Sequence, residues 1–408
     1  MSAGAGRILV AGGGIAGLTA ALAFARRGFD VALFERAAAF EEIGAGLQLS
    51  PNATRILRRL GVLEKLLPVA VAPEAVTLRA ASSLAKIARI PLGRAAEQRW
   101  GAPYLAVHRA DLHKVLLEAA ENEPSIALHA GATVREFATD AEGISLVVEI
   151  DGEQRREPGR LAVGADGVWS ALRALAGKAG QSRFVGRLAW RRTIAADSEA
   201  ARTLRSACPH EGVTAFLHPG FHMIAYPISA ARELNLVDFT RSKRELAKGW
   251  ANDADTSPLR DALAGTAPAL SGLADGAWTA WPIHVADLDG TWIDPKGMAL
   301  VGDAAHAMTP FAAQGAAMAI EDAESLAEAV AAGGDLGKAL TGWSTARRRR
   351  VLRVARRGAF NQFTWHAAGP VATARNLVLR ALGPERLAAQ LDWLYGWDKG
   401  GGSATEDR

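Results

Sequence analysis

A single cysteine, Cys208, stands in a chain of 408 residues. An internal disulfide is therefore excluded, and the composition fits a reducing compartment, the cytoplasm. With no histidine or basic pair beside it, the thiol reads as a small core residue rather than a nucleophile. No stretch of about twenty uninterrupted apolar residues occurs, which argues against a spanning helix. Charge of one sign is not in excess, since 47 Lys and Arg against 43 Asp and Glu leave a net +4. The one dense basic run is "ARRRRVLRVARR" (346–357). Val351, Leu352, Val354 and Ala355 supply it with an apolar stripe, so it reads as a helix with one solvated and one packed face, not as a nucleic-acid surface. Internal repeats and zinc-ligand spacing are missing, so no metal is expected. Low complexity is confined to the tail "DKGGGSATEDR", expected to be disordered. What remains, 49% apolar and 22% charged, is the composition of a globular protein with room for more than one domain.

The most informative segment that is present is "LVAGGGIAGLTAALAFARRG" (9–28). Its apolar character could suggest an export signal, but no cleavage site is apparent. Ile8-Leu9-Val10 reads as a buried strand, and Gly12-Gly13-Gly14-Ile15-Ala16-Gly17 gives G-x-G-x-x-G ahead of an Ala/Leu-rich helix. A second apolar strand, "VALFER", ends in Glu35 and Arg36. This is a βαβ dinucleotide fingerprint. Gly12 permits the tight turn, Gly14 lets backbone approach a pyrophosphate, and Gly17 allows close packing of helix on strand. The helix N-terminus offers N–H groups and positive dipole to the phosphates, with Ile15 and Ala16 in its first turn, while Glu35 can accept from a ribose diol. The pattern alone admits either NAD or FAD.

Two further motifs bear on that choice. "MALVGD" (298–303) reads as a buried strand ending in Asp303 at its C-terminal edge, where ligands of open α/β sheets lie. Pro310 then precedes a glycine-containing turn and a helix from about Gln314 to Ala332. The N–H groups of Gly315 and Ala316 at its positive end could stabilise the anionic edge of a reduced flavin. The other is "GADGVWSALR" (164–173). Taken in order, these three motifs resemble those of the single-component FAD-dependent aromatic hydroxylases, most closely the salicylate hydroxylase, 3-hydroxybenzoate 6-hydroxylase and 6-hydroxynicotinate monooxygenase branch. The resemblance runs from about residue 7 to about 395.

The resemblance implies bound FAD, with NAD(P)H as a transient co-substrate because no second fingerprint occurs. It implies a cycle in which reduced FAD reacts with O2 and a flavin C4a-hydroperoxide hydroxylates a small phenolic or hydroxypyridine carboxylic acid. Asp166 in the Asp-Gly segment, Arg109 in "VHRADL" and Val134 in "HAGATVREF" match the family's FAD contacts. Arg109 also reads as a helix-entry residue with Asp111 as a cap. "IGAGLQLSPNA" (43–53) matches the loop close to the flavin, with Gly46 and Leu47 on the cofactor and Gln48 on the substrate side. His222 and Tyr226 lie four apart, so on a strand both point to one face. Their setting "HPGFHMIAYPI" resembles the family's segment in which the His takes or orients the proton of a substrate phenol. Gln314 matches a Gln that steers the substrate. A histidine or tyrosine on a sheet is otherwise most often a core group. His306 reads as structural, and Arg191 or Arg192 as a candidate partner for a substrate carboxylate.

The fold class expected is α/β with an α+β substrate domain. A Rossmann-like FAD-binding domain takes residues 1–75, 98–180 and 285–330. An antiparallel-sheet substrate domain takes 76–97 and 181–284, a helical region 331–395, and the tail 396–408. "WTAWPIH" (278–284) reads as a strand entering the FAD domain. Trp343, Phe360, Trp365 and Trp393 are anchors for the core or for a second copy in a homodimer. Two other readings remain: the same fold acting on a larger polycyclic or non-aromatic compound, and a non-catalytic flavin-binding redox sensor.

Overall fold

The computed structural model describes residues 6–41, 44, 46–139, 143–176, 182–205, 207–208, 212–243, 245–246 and 255–398. Ile8–Ala11 is a wholly buried strand near the middle of a six-stranded sheet. The sheet runs in the order Ile293–Asp294, Met298–Leu300, Leu161–Gly164, Ile8–Ala11, Val31–Phe34, Ile126–His129. All its pairings are parallel except the first. Parallel strands need covering on both faces, which explains why these segments are continuous apolar runs rather than alternating ones. Helix Ile15–Ala25 is apolar nearly all round because it lies between this sheet and helices Arg109–Glu121 and Gly315–Ala331. Leu18, Phe24, Leu33, Leu326 and Trp343 meet there in one core, each buried side chain contributing about 1.5–3 kcal/mol.

A second, seven-stranded sheet roofs the first. Its order is Thr279–Val285, Arg183–Ala195, Glu233–Arg241, Phe221–Ile228, Gly212–His218, Ala75–Ala80, Lys86–Pro91. Only the Gly212–His218 and Ala75–Ala80 pair is parallel. The strand Thr279–Val285, expected to enter the FAD domain, is instead the edge strand of this roof, paired with Arg183–Ala195. Alternation sorts the roof residues. Leu188, Trp190, Met223 and Leu236 fill a core on the outer face, whereas Ala189, Tyr226, Val237 and Phe239 pack inward with Phe311. Between the layers runs a two-stranded ribbon, Gly46–Leu49 with Leu105–His108.

The C-terminal third is helical, as Leu336–Trp365, Gly369–Ala389 and Asp392–Tyr395. The run 346–357 lies on a helix with Val351 and Val354 packed and Arg349, Arg353 and Arg356 solvated, as expected, but two of its arginines belong to the packed side. Arg347 is 1% exposed and Arg350 is nearly as buried at its side chain. Arg347 Nη1 donates to Glu321 Oε2 at 2.7 Å and its Nε to Asp322 Oδ1 at 2.7 Å, while Arg350 Nε and Nη2 hold Glu321 at 2.8 and 2.7 Å. Arg350 also donates to the carbonyls of Trp393 and Leu394, clamping the last helix. Of the tail expected to be disordered from residue 396, Trp397 and Asp398 are held: Arg55 Nη1 donates to the Trp397 carbonyl and Arg59 pairs with Asp398 at 2.8 Å, while 399–408 lie outside the described residues.

The acidic pair reaches further. Asp322 Oδ2 accepts from the Gly302 N–H at 2.8 Å and pairs with His306 Nε2 at 2.5 Å. Glu321 Oε1 accepts from Asn52 Nδ2 at 2.7 Å. Burial alone would raise both carboxyls. For Glu321, Arg350 and Arg347 more than offset it, and for Asp322, His306 and Arg347 do, so both stay below their ordinary values. A carboxylate whose folded value is depressed gives stability that is present above the unfolded value and lost as pH falls. Arg347→Ala should therefore cost about 3–5 kcal/mol in a urea denaturation midpoint analysis at neutral pH, and the gap to wild type should narrow below about pH 4. An unchanged midpoint would contradict the network's assigned role.

Candidate functional site

The first strand ends in the glycine turn. Gly12 has φ +107°, and a Cβ there would lie 2.5 Å from the Ala165 carbonyl oxygen, so only glycine fits. Glu35 reaches back to this turn, accepting from the Gly13 N–H at 2.7 Å and the Ala37 N–H at 2.8 Å. Gly14 is the extended residue preceding the helix, Ile15 and Ala16 open it, and Gly17 packs directly on Gly12. Arg36 is exposed beside Glu35. The Ala132 N–H donates to the Glu35 carbonyl, which sets Val134, two residues on, near the same strand end. His113 had no signal in the sequence beyond its position on a helix. It is buried, and its Nε2 lies 2.8 Å from the Gly13 carbonyl, fixing the turn from the helix side.

Strand adjacency brings the other edge to the same place. Met298–Leu300 pairs with Leu161–Gly164, which pairs with Ile8–Ala11, so all three carboxyl ends open together. Gly302 sits against Ala16. Asp303, next in the chain, is exposed at the start of helix Asp303–His306. Asp166 caps helix Ala171–Leu175 through Oδ2, at 2.7 Å from the Ala171 N–H, while its buried Oδ1 has no partner among the described residues. That leaves an acceptor unused beside the glycine turn. Pro310 starts a 3-10 turn, Pro310–Ala312, and helix Gly315–Ala331 follows. Gly315 and Ala316 stand in its first turn, where N–H groups lack intrahelical acceptors. Gln314, one residue earlier, is 2% exposed and turns to the ribbon: its Nε2 donates to Ser50 Oγ at 2.9 Å, and Asn52 Nδ2 approaches its Oε1 at 3.3 Å.

The ribbon carries the third wall. Gly46 pairs with His108, and Arg109 follows at the start of helix Arg109–Glu121. The helix cap is His108, whose Nδ1 accepts from the Ala110 N–H at 3.2 Å, rather than Asp111. The Arg109 side chain packs over Gly44, and Leu47 packs on the core of the nucleotide sheet. A Cβ at Gly46 would lie 2.7 Å from the Tyr226 ring, so the ribbon presses against the roof there. Asn235 Oδ1 accepts the Gly46 N–H at 3.0 Å. Gln48 Oε1 accepts from Tyr104 Oη at 2.7 Å, and Gln48 also hydrogen-bonds Tyr226. Tyr104, Tyr226 and Tyr395, the three tyrosines of the chain, thus form one cluster. Burial pushes the Tyr104 phenol well up and Tyr395 up to about 12, so each stays a neutral hydroxyl.

His222 and Tyr226 do share the inward face of strand Phe221–Ile228. His222 is fully buried among the rings of Phe239, Phe311 and Trp365, at centroid distances of 4.8, 5.3 and 5.0 Å. Its Nδ1 lies 2.8 Å from His366 Nε2, and its own Nε2 has no partner among the described residues. Burial, then His366 and Arg187, push His222 well below the ordinary histidine value. Burial, then Arg187, Arg241 and His218, bring His366 down to about 4. Both imidazoles are therefore neutral at neutral pH, able to pass one proton along and accept another. The partner His366 lies at the C-terminal end of the long helix, and no spacing in the sequence connected it to position 222.

Alternation also separates the two arginines of "AWRRT". Arg192 points outward and donates to the Leu273 carbonyl at 3.2 Å, while Arg191 faces inward near Tyr226 and Arg109. His306 is tied to Asp322, and His284 pairs with Glu245 at 3.1 Å and packs on Trp169. An exposed carboxylate, a spare buried acceptor and a helix N-terminus around a glycine turn suit a dinucleotide whose ring system extends towards the ribbon and Phe311.

Comparison with known proteins agrees with this geometry. The family model described as the FAD binding domain matches residues 6–357. The chain is 32% identical to a 3-hydroxybenzoate 6-hydroxylase of Polaromonas naphthalenivorans (strain CJ2), over 96% of each chain. It is 36% identical to a 3-amino-4-hydroxybenzoate 2-monooxygenase of Streptomyces platensis, again over 96% of each. Among solved structures, a salicylate hydroxylase substrate complex superposes with a TM-score of 0.79 at 25% identity, covering 98% of this chain and 97% of that one.

If Asp303 meets a ribityl or ribose hydroxyl, Asp303→Ala removes a charge-assisted hydrogen bond worth about 1.5–3 kcal/mol, weakening FAD roughly ten- to a hundredfold. Titration of apoprotein with FAD, followed by flavin fluorescence, reads this directly; unchanged affinity would remove Asp303 from the site.

Proposed function

The chain belongs to the FAD-binding domain family, and from that premise we propose that this flavoprotein monooxygenase uses NAD(P)H and O2 to hydroxylate a small aromatic acid carrying a ring hydroxyl. A salicylate-like phenolic or hydroxypyridine carboxylic acid is the substrate class. The observation that carries the reading is His222: a fully buried, neutral imidazole with an unpartnered Nε2, on the roof face above the ribbon and the Pro310–Ala312 turn. Its relatives' names, hydroxylases and monooxygenases of hydroxybenzoates, support the substrate class.

The residues that hold FAD are the glycine turn Gly12–Gly17, Glu35, Arg36, Val134, Arg109, Asp166 and Asp303, with Gly46, Leu47, Pro310, Gly315 and Ala316 towards the ring end. When bound, FAD reduced by NAD(P)H activates O2 and supplies the electrophilic oxygen. The remaining chemistry is the chain's own. His222 Nε2 takes the proton of the substrate hydroxyl, which raises electron density ortho and para to that oxygen and prepares the ring for attack. In the tautomer where His222 donates Nδ1–H to His366, Nε2 keeps its lone pair; His366 is the positioning residue that selects it. Tyr226 and Gln48 present hydroxyl and amide groups to the substrate. Gln314 steers it through the loop that it anchors to Ser50. The apolar wall of Ile224, Val237, Phe239 and Phe311 keeps water from the reacting ring.

Residues 1–75, 98–180 and 285–330 act as the flavin unit, and 76–97 with 181–284 as the substrate unit. Buried Cys208 supports a cytoplasmic setting; among the described residues no helix is long and apolar enough to cross a membrane. Of the four aromatic anchors, Trp343, Trp365 and Trp393 pack within the chain, so in a homodimer the exposed Phe360, with exposed Leu377 and Val378 on helix Gly369–Ala389, would supply the apolar contact for a second copy. Sedimentation should then show a dimer in the wild type and a monomer in Leu377→Glu; a monomeric wild type would remove this contact.

His222→Ala should keep its flavin but uncouple NAD(P)H oxidation from hydroxylation, with product formation down about a hundredfold or more. His366→Phe should lower kcat without displacing FAD, and His366→Gln, which can still accept from Nδ1, should restore part of it. Because His222 is neutral until well below its ordinary value, the acid limb of kcat/KM should lie below about pH 6.5. Loss of flavin in His222→Ala, or full coupling in that variant, would sink the assigned base.

A further inference from the structure

Beyond His222, on the same face of the roof, lies an arginine for which the reading above gives no use. Arg187 is 7% exposed, and it stands opposite Arg241 in the strand register. Its guanidinium carbon lies 5.8 Å from the centre of the Phe311 ring, and with the Gln362 amide turned so that both groups are satisfied, the Gln362 oxygen accepts from Nη2 at 2.9 Å and Nε at 3.1 Å. Nη1 is buried without a partner, and Arg187 forms no ion pair among the described residues. Burial, and then the like charge of Arg241 opposite it, disfavour its cationic form.

This is the reverse of Arg347, which meets two carboxylates in the core. A guanidinium keeps its proton under almost all conditions. A buried one without a counter-charge is destabilising unless an anion arrives to neutralise it. There is room for one. A groove of about 510 Å³ opens beside Arg187, lined by Arg241, Gln362, Phe363, His366 and Val371. Its chemistry is specific in three respects: among the described residues two guanidiniums and no carboxylate line it, a flat aromatic ring stands at Phe363, and its inner wall is His366, hydrogen-bonded to His222.

We propose that this groove is a receiving site for an aromatic carboxylate, with the unpartnered Nη1 of Arg187 binding the carboxylate and Arg241 at the rim drawing it in. As the port of the substrate it rests on the hydroxylase reading; as a binding site it does not. Arg187 supplies its unpartnered Nη1 as a charged donor to the carboxylate, while Phe363 offers a face to the ring. Arg191, also inward on the same strand, lies beside Tyr226 and Arg109 at the ribbon end, so it serves a different place.

The test uses the purified holoprotein and follows thermal unfolding with sodium benzoate, benzamide and inorganic phosphate as probes. Benzoate should raise the unfolding temperature of the wild type, benzamide and phosphate much less. In Arg187→Gln the benzoate affinity should fall about tenfold or more, while the ligand-free protein should be as stable as the wild type or more so, because an unneutralised buried charge is gone. If that variant fails to fold, Arg241→Gln at the exposed rim should still weaken benzoate by a few-fold. Equal benzoate affinity in wild type and Arg187→Gln would overturn the proposal, as would phosphate matching benzoate. None of these readouts needs turnover or His222. A failed hydroxylation assay with retained Arg187-dependent benzoate binding would therefore sink the hydroxylase reading alone.

Discussion

Two carboxylates on one helical turn, Glu321 and Asp322, hold the site in shape. Each is buried, and each is met by arginines from the next long helix. Through Asp322 they fix the strand end at Gly302 and the loop at His306; through Glu321 and Asn52 they reach Gln314, where the same loop ends. The segment between, which carries Asp303 and Pro310, is thus pinned at both ends to a single helix. Buried ion pairs give little net stability, but removing one partner strands the other, so such a network rewards one arrangement over its alternatives. That suits a loop whose backbone must meet a planar ring system at fixed height.

The rest follows from sheet geometry. Parallel strands set three carboxyl ends side by side, which is where a dinucleotide lies. The antiparallel roof supplies alternation, so one face packs a core and the other presents chemistry. On that inner face His222, Ile224 and Tyr226 form a row of imidazole, apolar floor and hydroxyl. Arg187, Ala189 and Arg191 on Arg183–Ala195 repeat the pattern of charge, apolar floor and charge. A substrate between the rows would meet an imidazole at one end and a tyrosine cluster at the other.

Much of this was legible in the amino-acid order because it depends on local constraints. A positive-φ glycine, a strand followed by a helix, and a period of two are short-range features, so Gly12, the nucleotide strands and the shared face of His222 and Tyr226 could be read directly. What escaped reading depended on pairing across long separations. The arginines at 347 and 350 have the composition of a solvated face, and only their placement against 321 and 322 makes them a core. His366 becomes a partner of His222 because a helix end some 144 positions away lands beside it. "WTAWPIH" has the pattern of a strand, but the sheet that takes it is decided by Arg183–Ala195, which offered a free edge. Trp397 and Asp398 follow the same rule, since arginines of an early helix hold them.

The account stands on one tricyclic ring bound between the glycine turn, the Asp303 edge and the roof. The most direct measurement is the visible absorption spectrum of the purified protein, before and after incubation with FAD and during anaerobic reduction by NADH or NADPH. Bound oxidised flavin bands that bleach with the nicotinamide and return on admitting air are the result expected. A colourless protein that takes up no flavin would contradict it.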